Sequence, residues 1–509
     1  MFVPMTVTDF LARAETVYPD RIAVVDEPDQ PASPLGPLTY GQLAEAARAQ
    51  SAALDDLGVP IGGRVAIVSH NSARLLTSFY GVSGSGRVLV PVNFRLAAPE
   101  VSYIVGHSGA EVLLVDPELD ESLAEVTARH RFVLGASDDV IFPAGRSGGA
   151  WLPDESATAT INYTSGTTAR PKGVQLTHRN LWVNAMLMGL HLTVSDRDVL
   201  LHTLPMFHAN GWGMPYAITG VGGRHIVLRK VDGAEILRRV DEHGVTIMCG
   251  APAVLAMVLE AAASWVGPIP GRDRVRVVVA GAPPPTRTIE RIETELGWEF
   301  IQIYGLTETA PLLTVNRRRA EWDDLDSHER ARMLGRAGVP AVGVTLHVDD
   351  GGEILARGNV VLEAYWNQPE ESAAALADGW FHTGDGGYID DGYLSISDRK
   401  KDVIISGGEN VSSIEVEDAI MSHPHIREVA VVGTPDNKWG EAVTALVVTD
   451  GSVLTESDVI EHCRTRLAGY KCPKRVEFRD ALPRTATGKL QKYLIRREYW
   501  VDQEGQIKG

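Results

Sequence analysis

Short apolar runs bounded by glycine or proline alternate along much of the chain with stretches in which apolar residues recur at helical spacing. Thr39-Tyr40-Gly41-Gln42 has the form of a capping box, and Leu43, Ala46, Ala47, Leu54 and Leu57 follow at intervals that line one face of a helix. That helix feeds Arg64-Val65-Ala66-Ile67-Val68, a run bounded by glycine. The segments 88–92, 111–115, 245–249 and 275–279 are built the same way and read as strands, with amphipathic stretches between several of them. Near-continuous apolar strands alternating with helices predict mostly parallel sheets covered on both faces. Gly84 and Gly86 make a partial dinucleotide fingerprint, but they precede a strand, whereas that turn must follow one and open a helix.

From Gly379 to Ser406 the texture changes to Gly/Asp-rich turns and short alternating strands, among them 393–396 and 403–405. Beyond it, strands at 429–432, 442–448 and 475–478 with helices at 414–421 and 456–467 predict a small α+β unit, and the boundary falls near Asp398 to Lys401.

Size and charge narrow the function. At 509 residues the chain exceeds what one core usually organises, so two or more domains are expected. A formal net charge of -18, with no run of Lys/Arg and interleaved aromatics, argues against nucleic acid as a partner. The three cysteines, Cys249, Cys463 and Cys472, have no metal-like or disulfide-framework spacing. No basic leader precedes an apolar run and no apolar stretch approaches about 18 residues, so no integral membrane segment is expected and the chain reads as soluble and cytoplasmic.

The densest chemistry lies in Tyr163-Thr164-Ser165-Gly166-Thr167-Thr168-Ala169-Arg170-Pro171-Lys172-Gly173. Hydroxyls, glycines and one lysine in a single turn suit a loop whose backbone N–H groups wrap a polyphosphate. The Walker pattern does not fit, because Lys172 is followed by Gly173 rather than by a hydroxyl. Further on, Gly281-Ala282-Pro283 follows a strand, at the edge where α/β sheets place ligands, though a plain strand-ending turn reads equally well. Tyr304-Gly305-Leu306-Thr307-Glu308-Thr309 also follows an apolar run. There Tyr304 offers a face for a base, Gly305 lets a substrate approach the backbone, Thr307 can donate to a phosphate oxygen and Glu308 can hold Mg²⁺. A helix start at Thr307 and Glu308 would favour anions as well. Trp380-Phe381-His382-Thr383-Gly384-Asp385 puts a carboxylate on a tight turn, suited to two vicinal ribose hydroxyls; a commonplace Asp-Gly turn is the alternative. Lys489, on a Gly/Thr-rich loop near the C-terminus, is an ammonium able to meet charge accumulating at a phosphorus.

Together these segments resemble the adenylate-forming superfamily of acyl-CoA synthetases, luciferase and peptide-synthetase adenylation domains, from about Thr39 to Lys492. The resemblance implies an α/β fold: a large N-terminal ATP- and acid-binding domain, 1–398, of mostly parallel helix-covered sheets plus a β-barrel-like part, and a small mobile α+β lid, 399–509, hinged near Lys401. It implies ATP, Mg²⁺ and CoA as cofactors, Thr168 and Glu308 on the metal, Asp385 and Arg399 on the ribose or phosphate, and Lys489 as the adenylation lysine. Gly281, Ala282 and Pro283 would lie beside the adenine, and Thr164, Ser165, Gly166, Thr167 and Lys172 around the phosphates. Gly407 and Gly408 would let the pantetheine arm pass beside Trp439, for which surface packing is an equal reading.

Pro205-Met206-Phe207-His208-Ala209-Asn210-Gly211-Trp212 resembles the acid-pocket segment of fatty acyl-CoA synthetases, with His208 near the carboxylate and Trp212 at the acyl tunnel. Ala251, Leu306, Pro311 and Leu312 complete the expected pocket. No lysine or arginine appears among these segments, which argues for an apolar acid, fatty or aryl, over a dicarboxylate. The expected activity is ATP-dependent ligation of that acid to CoA through an acyl-AMP. The partners are then the small acid and CoA, with a homodimer admitted. Transfer to a carrier protein or to a nitrogen or oxygen nucleophile is the alternative, and a noncatalytic nucleotide-binding regulator the alternative from another class. Two departures stand out: Ala169 replaces the usual glycine, and 347–362 is shorter than in relatives.

Overall fold

The capping box closes as the sequence predicts: Gln42 N donates to Thr39 Oγ1 at 3.2 Å, and Thr39 N donates to the Gln42 side chain at 2.9 Å. The helix it starts, Tyr40–Asp56, buries Leu43, Ala47 and Leu54 in the main core. The computed structural model describes residues 1–164, 170–282, 284–399, 403–407, 409–436, 438–484 and 490–500, with Asp398, Arg399 and Asn410 described in their backbone.

Two large sheets carry the first part of the chain. One has seven strands, in the order Ala364–Tyr365, Lys172–Thr177, Thr158–Thr164, Val88–Val92, Arg64–Val68, Ala110–Val115, His130–Val133. Its centre is parallel and buried on both faces, and every residue of Val88–Val92 is buried. The other has nine strands, and in its centre Glu299–Gly305, Arg276–Val279, Ile247–Gly250 and Val199–His202 run parallel as consecutive neighbours. The apolar runs thus pair as their composition predicts, although the strand expected at 245–249 begins two residues later, at Ile247.

A four-stranded antiparallel sheet, Thr345–Val348, Glu353–Arg357, Phe381–Asp390 and Tyr393–Arg399, forms the curled part expected as barrel-like. The remaining five-stranded sheet is antiparallel except where Arg475–Phe478 joins Gly440–Thr449 in parallel, and Ser413–Met421 and Glu456–Arg464 pack as its helices. It touches the preceding part through Thr286 N to Asp418 Oδ1 at 3.0 Å and Arg287 Nη1 to the His423 carbonyl at 3.1 Å. Among the described residues no helix is long and apolar enough to cross a membrane.

Candidate active site

Strand order does the first work of assembly. Because Glu299–Gly305, Arg276–Val279, Ile247–Gly250 and Val199–His202 are parallel neighbours, the segments leaving their carboxyl ends emerge along one edge. Those segments hold Tyr304 to Glu308, Gly281 and Ala282, Ala251, and the stretch through His208 to Trp212. Stretches far apart in sequence therefore share the edge at which open α/β sheets bind ligands.

The phosphate-loop candidates approach from the seven-stranded sheet. Thr164 and Lys172 face each other across the hairpin formed by Thr158–Thr164 and Lys172–Thr177. Ser165, Gly166, Thr167 and Thr168 lie outside the described residues, as do Pro283, Gly408, Lys489 and the expected hinge Lys401. The Lys172 ammonium pairs with Glu371 and sits 5.0 Å from the centroid of the Tyr365 ring. Tyr365 is 9% exposed, and its hydroxyl donates to Glu308 Oε1 at 3.0 Å. Burial first, and the Glu308 carboxylate second, push the Tyr365 phenol well above its ordinary pKa, so it remains a donor. The Leu362 N–H donates to the Glu308 carbonyl at 2.7 Å.

Four residues before Glu308, the Tyr304 hydroxyl donates to Asp385 Oδ2 at 2.9 Å. Asp385 is buried, and its own N–H donates to Thr383 Oγ1 at 3.1 Å. A continuous line of contacts thus runs from Lys172 through Tyr365 to Glu308, and along the chain through Tyr304 to Asp385. The backbones of Asp385 and Arg399 are directly paired across two strands.

Two local expectations are corrected. Thr307 and Glu308 do not open a helix: they lie in the three-residue turn Thr307–Thr309, which Ala310 ends at φ 68°, so no helix dipole acts there. Asp385 sits within the strand Phe381–Asp390 rather than on a tight turn. Gly305 also has a packing reason to be glycine, since a Cβ there would stand 1.6 Å from the Pro311 carbonyl oxygen.

On the acid side, Pro311 and Leu312 are buried, while Leu306 and Ala251 are half-buried. His208 is half-buried beside Phe207 and is followed by an unusual backbone: Ala209, Asn210, Gly211, Trp212 and Gly213 have φ of 36°, 48°, 58°, 55° and 74°. Five successive positive values make one left-handed turn, which costs about 1–2 kcal/mol at each of Ala209, Asn210 and Trp212. Tertiary contacts must hold it, and Trp212 is 4% exposed in the main core. Gly407 and Trp439 form a second locus on the five-stranded sheet. Gly407 N donates to the Trp439 carbonyl at 2.8 Å, and the half-exposed indole has the Lys438 and Lys474 ammoniums 4.7 and 5.7 Å from its ring.

Sequence reasoning missed Tyr365, whose only signal was the aromatic pair Tyr365-Trp366 just after an apolar run. It also missed Glu371, partner of Lys172, and nothing in the pattern marks that residue.

The family model for AMP-binding enzymes matches residues 11–366, and the model for their C-terminal domain matches 415–489. The chain is 38% identical to 4-hydroxybutyrate–CoA ligase 2 of Metallosphaera sedula, over 96% of this chain and 93% of that protein. It is 37% identical to 2-methylpropanoate–CoA ligase CCL4 of Humulus lupulus, over 97% and 95%. Among solved structures it matches a Mycobacterium tuberculosis fatty acyl CoA synthetase with TM-score 0.75 and 33% identity, over 98% and 99% of the two chains.

Proposed function

The chain belongs to the AMP-binding enzyme family and is an AMP-forming acid–CoA ligase, and we propose that its acid is apolar and that the residues gathered at the sheet edge carry the reaction. The acid's carboxylate oxygen attacks the α-phosphorus of ATP; a P–O bond forms, the α–β anhydride breaks and pyrophosphate leaves. The CoA sulfur then attacks the acyl carbon, the thiol proton is lost to solvent, and AMP departs with the former carboxylate oxygen.

In this reading Lys172, with Thr164 and the loop 165–168, holds the β- and γ-phosphates, and Asp385 with Arg399 takes the ribose. Tyr304 stacks with the adenine beside 281–283 while its hydroxyl keeps Asp385 in place. The line of contacts from Lys172 to Asp385 carries the proposal, because it links a phosphate-binding cation, a metal-binding carboxylate and a ribose acceptor. Mg²⁺ fits the donor set: a hard cation bound through one carboxylate, Glu308, with Thr168 and substrate phosphates completing its oxygens. Bound there, it neutralises phosphate charge. His208 meets the acid carboxylate, and Trp212, Ala251, Leu306, Pro311 and Leu312 enclose its apolar part. Lys489 meets the charge developing during adenylation. The boundary between 398 and 399, with Lys401 as hinge, lets the small domain exchange the Lys489 loop for the face bearing Gly407, Gly408 and Trp439. The two ammoniums beside that indole suit the anionic nucleotide of CoA.

The test is pyrophosphate release over a panel of straight-chain, branched and aryl acids, with and without CoA, for the parent and Lys489→Ala. Apolar acids should release pyrophosphate, and CoA should turn the adenylate into thioester and AMP in equal amounts. Lys489→Ala should stop the release yet still convert supplied acyl-AMP to thioester. Release by the variant at the parent rate, or none by the parent with any acid, refutes the assignment.

A further inference from the structure

The left-handed turn at 209–213 cannot hold itself, and two buried asparagine amides grip the chain on either side of it. Asn71 holds the approach: its Nδ2 donates to the carbonyls of His202 at 2.8 Å and Leu204 at 3.1 Å, and its Oδ1 accepts from Met206 N at 2.8 Å. Asn184 holds the exit. It lies fully buried on the helix His178–His191, its Nδ2 donating to the Trp212 carbonyl at 3.3 Å and its Oδ1 accepting from Leu312 N at 3.2 Å. Gly213 packs directly on this amide, since a Cβ there would come within 2.2 Å of Asn184 Nδ2.

One side chain thereby joins two strips of backbone more than ninety residues apart, and each strip carries a residue of the acid pocket. We propose that Asn184 is a positioning residue for acid recognition: its amide fixes the spacing between the Trp212 turn and the Leu312 strand, and that spacing sets the size of acid accepted. The inference rests on the pocket reading above. The alternative, that Asn184 is simply a satisfied core amide, predicts loss of folded protein without a change in which acid is preferred.

The same helix supplies a contrast. Asn180, one turn earlier, donates through Nδ2 to the carbonyls of Asn359 at 2.7 Å and Val361 at 2.9 Å, next to Leu362, which holds the Glu308 carbonyl. Asn180 thus supports the metal and phosphate side, and Asn184 the acid side. Removing the Asn184 amide takes one hydrogen bond each from the Trp212 carbonyl and the Leu312 N–H, and the strained turn has lower-energy conformations to relax into.

The experiment compares Asn184→Ala, Asn184→Asp and Asn180→Ala by kcat/KM for a short branched acid and a straight eight-carbon acid. The readout is the ratio of the two, which cancels any difference in the fraction of folded enzyme. Assayed at alkaline pH, where its carboxyl is ionised, Asn184→Asp keeps the shape and the acceptor for Leu312 N but no longer donates to the Trp212 carbonyl. Both Asn184 variants should change the ratio by about tenfold, the worth of one buried hydrogen bond, and raise the KM for acid more than that for ATP. Asn180→Ala should leave the ratio within about twofold and act on the KM for ATP. An unchanged ratio in Asn184→Asp overturns the inference, whatever happens to total activity. If the parent enzyme activates no acid, the pocket reading fails by itself, and the clamp is decided by amide hydrogen exchange: 211–213 and 312–313 should lose protection together in Asn184→Asp. Unchanged protection there also overturns it.

Discussion

Tyr365→Phe separates the two things Tyr365 does. The ring lies beside the Lys172 ammonium at 5.0 Å, and the hydroxyl donates to Glu308 Oε1 at 3.0 Å. Phenylalanine keeps the ring and removes the donor, so the contact with Lys172 and the packing of a residue 9% exposed should survive. A hydrogen bond to a charged group contributes about 1.5–3 kcal/mol when buried. Glu308 is only half-buried, so water can replace the lost donor and the lower end applies. About 1.5 kcal/mol is roughly tenfold in kcat/KM for MgATP, with little effect on the KM for acid. Pyrophosphate release at saturating acid, with ATP and Mg²⁺ varied independently, measures it, and the melting temperature should move by no more than a few degrees. Because the phenol is held protonated, its removal should not alter the pH profile. A kcat/KM for MgATP within twofold of the parent at every Mg²⁺ concentration would show that Glu308 does not depend on this donor.

Asp385→Asn keeps an acceptor for Tyr304 but removes the carboxylate charge; binding of ATP by titration calorimetry should weaken about tenfold or more, while binding of an analogue lacking both ribose hydroxyls changes little. Equal weakening for both nucleotides would remove Asp385 from the ribose. Trp439→Ala should raise the KM for CoA severalfold and leave adenylation alone; an unchanged KM would return Trp439 to surface packing. Acid should destabilise the fold through histidines buried neutral. Burial lowers His202 to about 3 and His178 to about 4, and His178 Nδ1 accepts from Val7 N at 3.4 Å. Both pKa values are depressed in the fold, so the unfolded chain binds the extra protons, and stability present above pH 6.5 is lost as pH falls toward those values. At pH 5 each histidine should cost about 2 kcal/mol. A melting temperature that stays flat from pH 7 to pH 5 contradicts this.

Strand composition made the parallel sheets legible: Val88–Val92 has no polar position, and a strand buried on both faces needs none. The capping box at Thr39 was legible because both partners lie within one turn of the chain. Local rules went wrong where a distant contact decided the conformation. Thr307 and Glu308 have the residues of a helix start, yet Ala310 turns the chain back into the strand Leu312–Arg317. Asp385 precedes glycine like a turn residue, yet pairing with Tyr393–Arg399 keeps its segment extended.

The site divides along the same line. Residues proposed to touch phosphate, ribose or metal were readable because their chemistry demands particular side chains, a lysine, an acid or a hydroxyl, at particular places on a loop. Residues that hold backbone in place leave a weaker mark. Asn184 is one of three buried polar residues, with His178 and Asn180, on a helix whose other buried positions are apolar, and its two partners are a carbonyl and an N–H, which every residue possesses. The proposed acid pocket rests on such contacts: sheet order brings 251 and 306–312 to one edge with the segment that leads to 209–213, and the Asn184 amide ties Trp212 to Leu312. Acid preference should therefore depend more on the spacing of backbone strips than on the identity of any one lining residue, and changes at Asn71 or Asn184 should alter it more than conservative exchanges among the apolar lining residues.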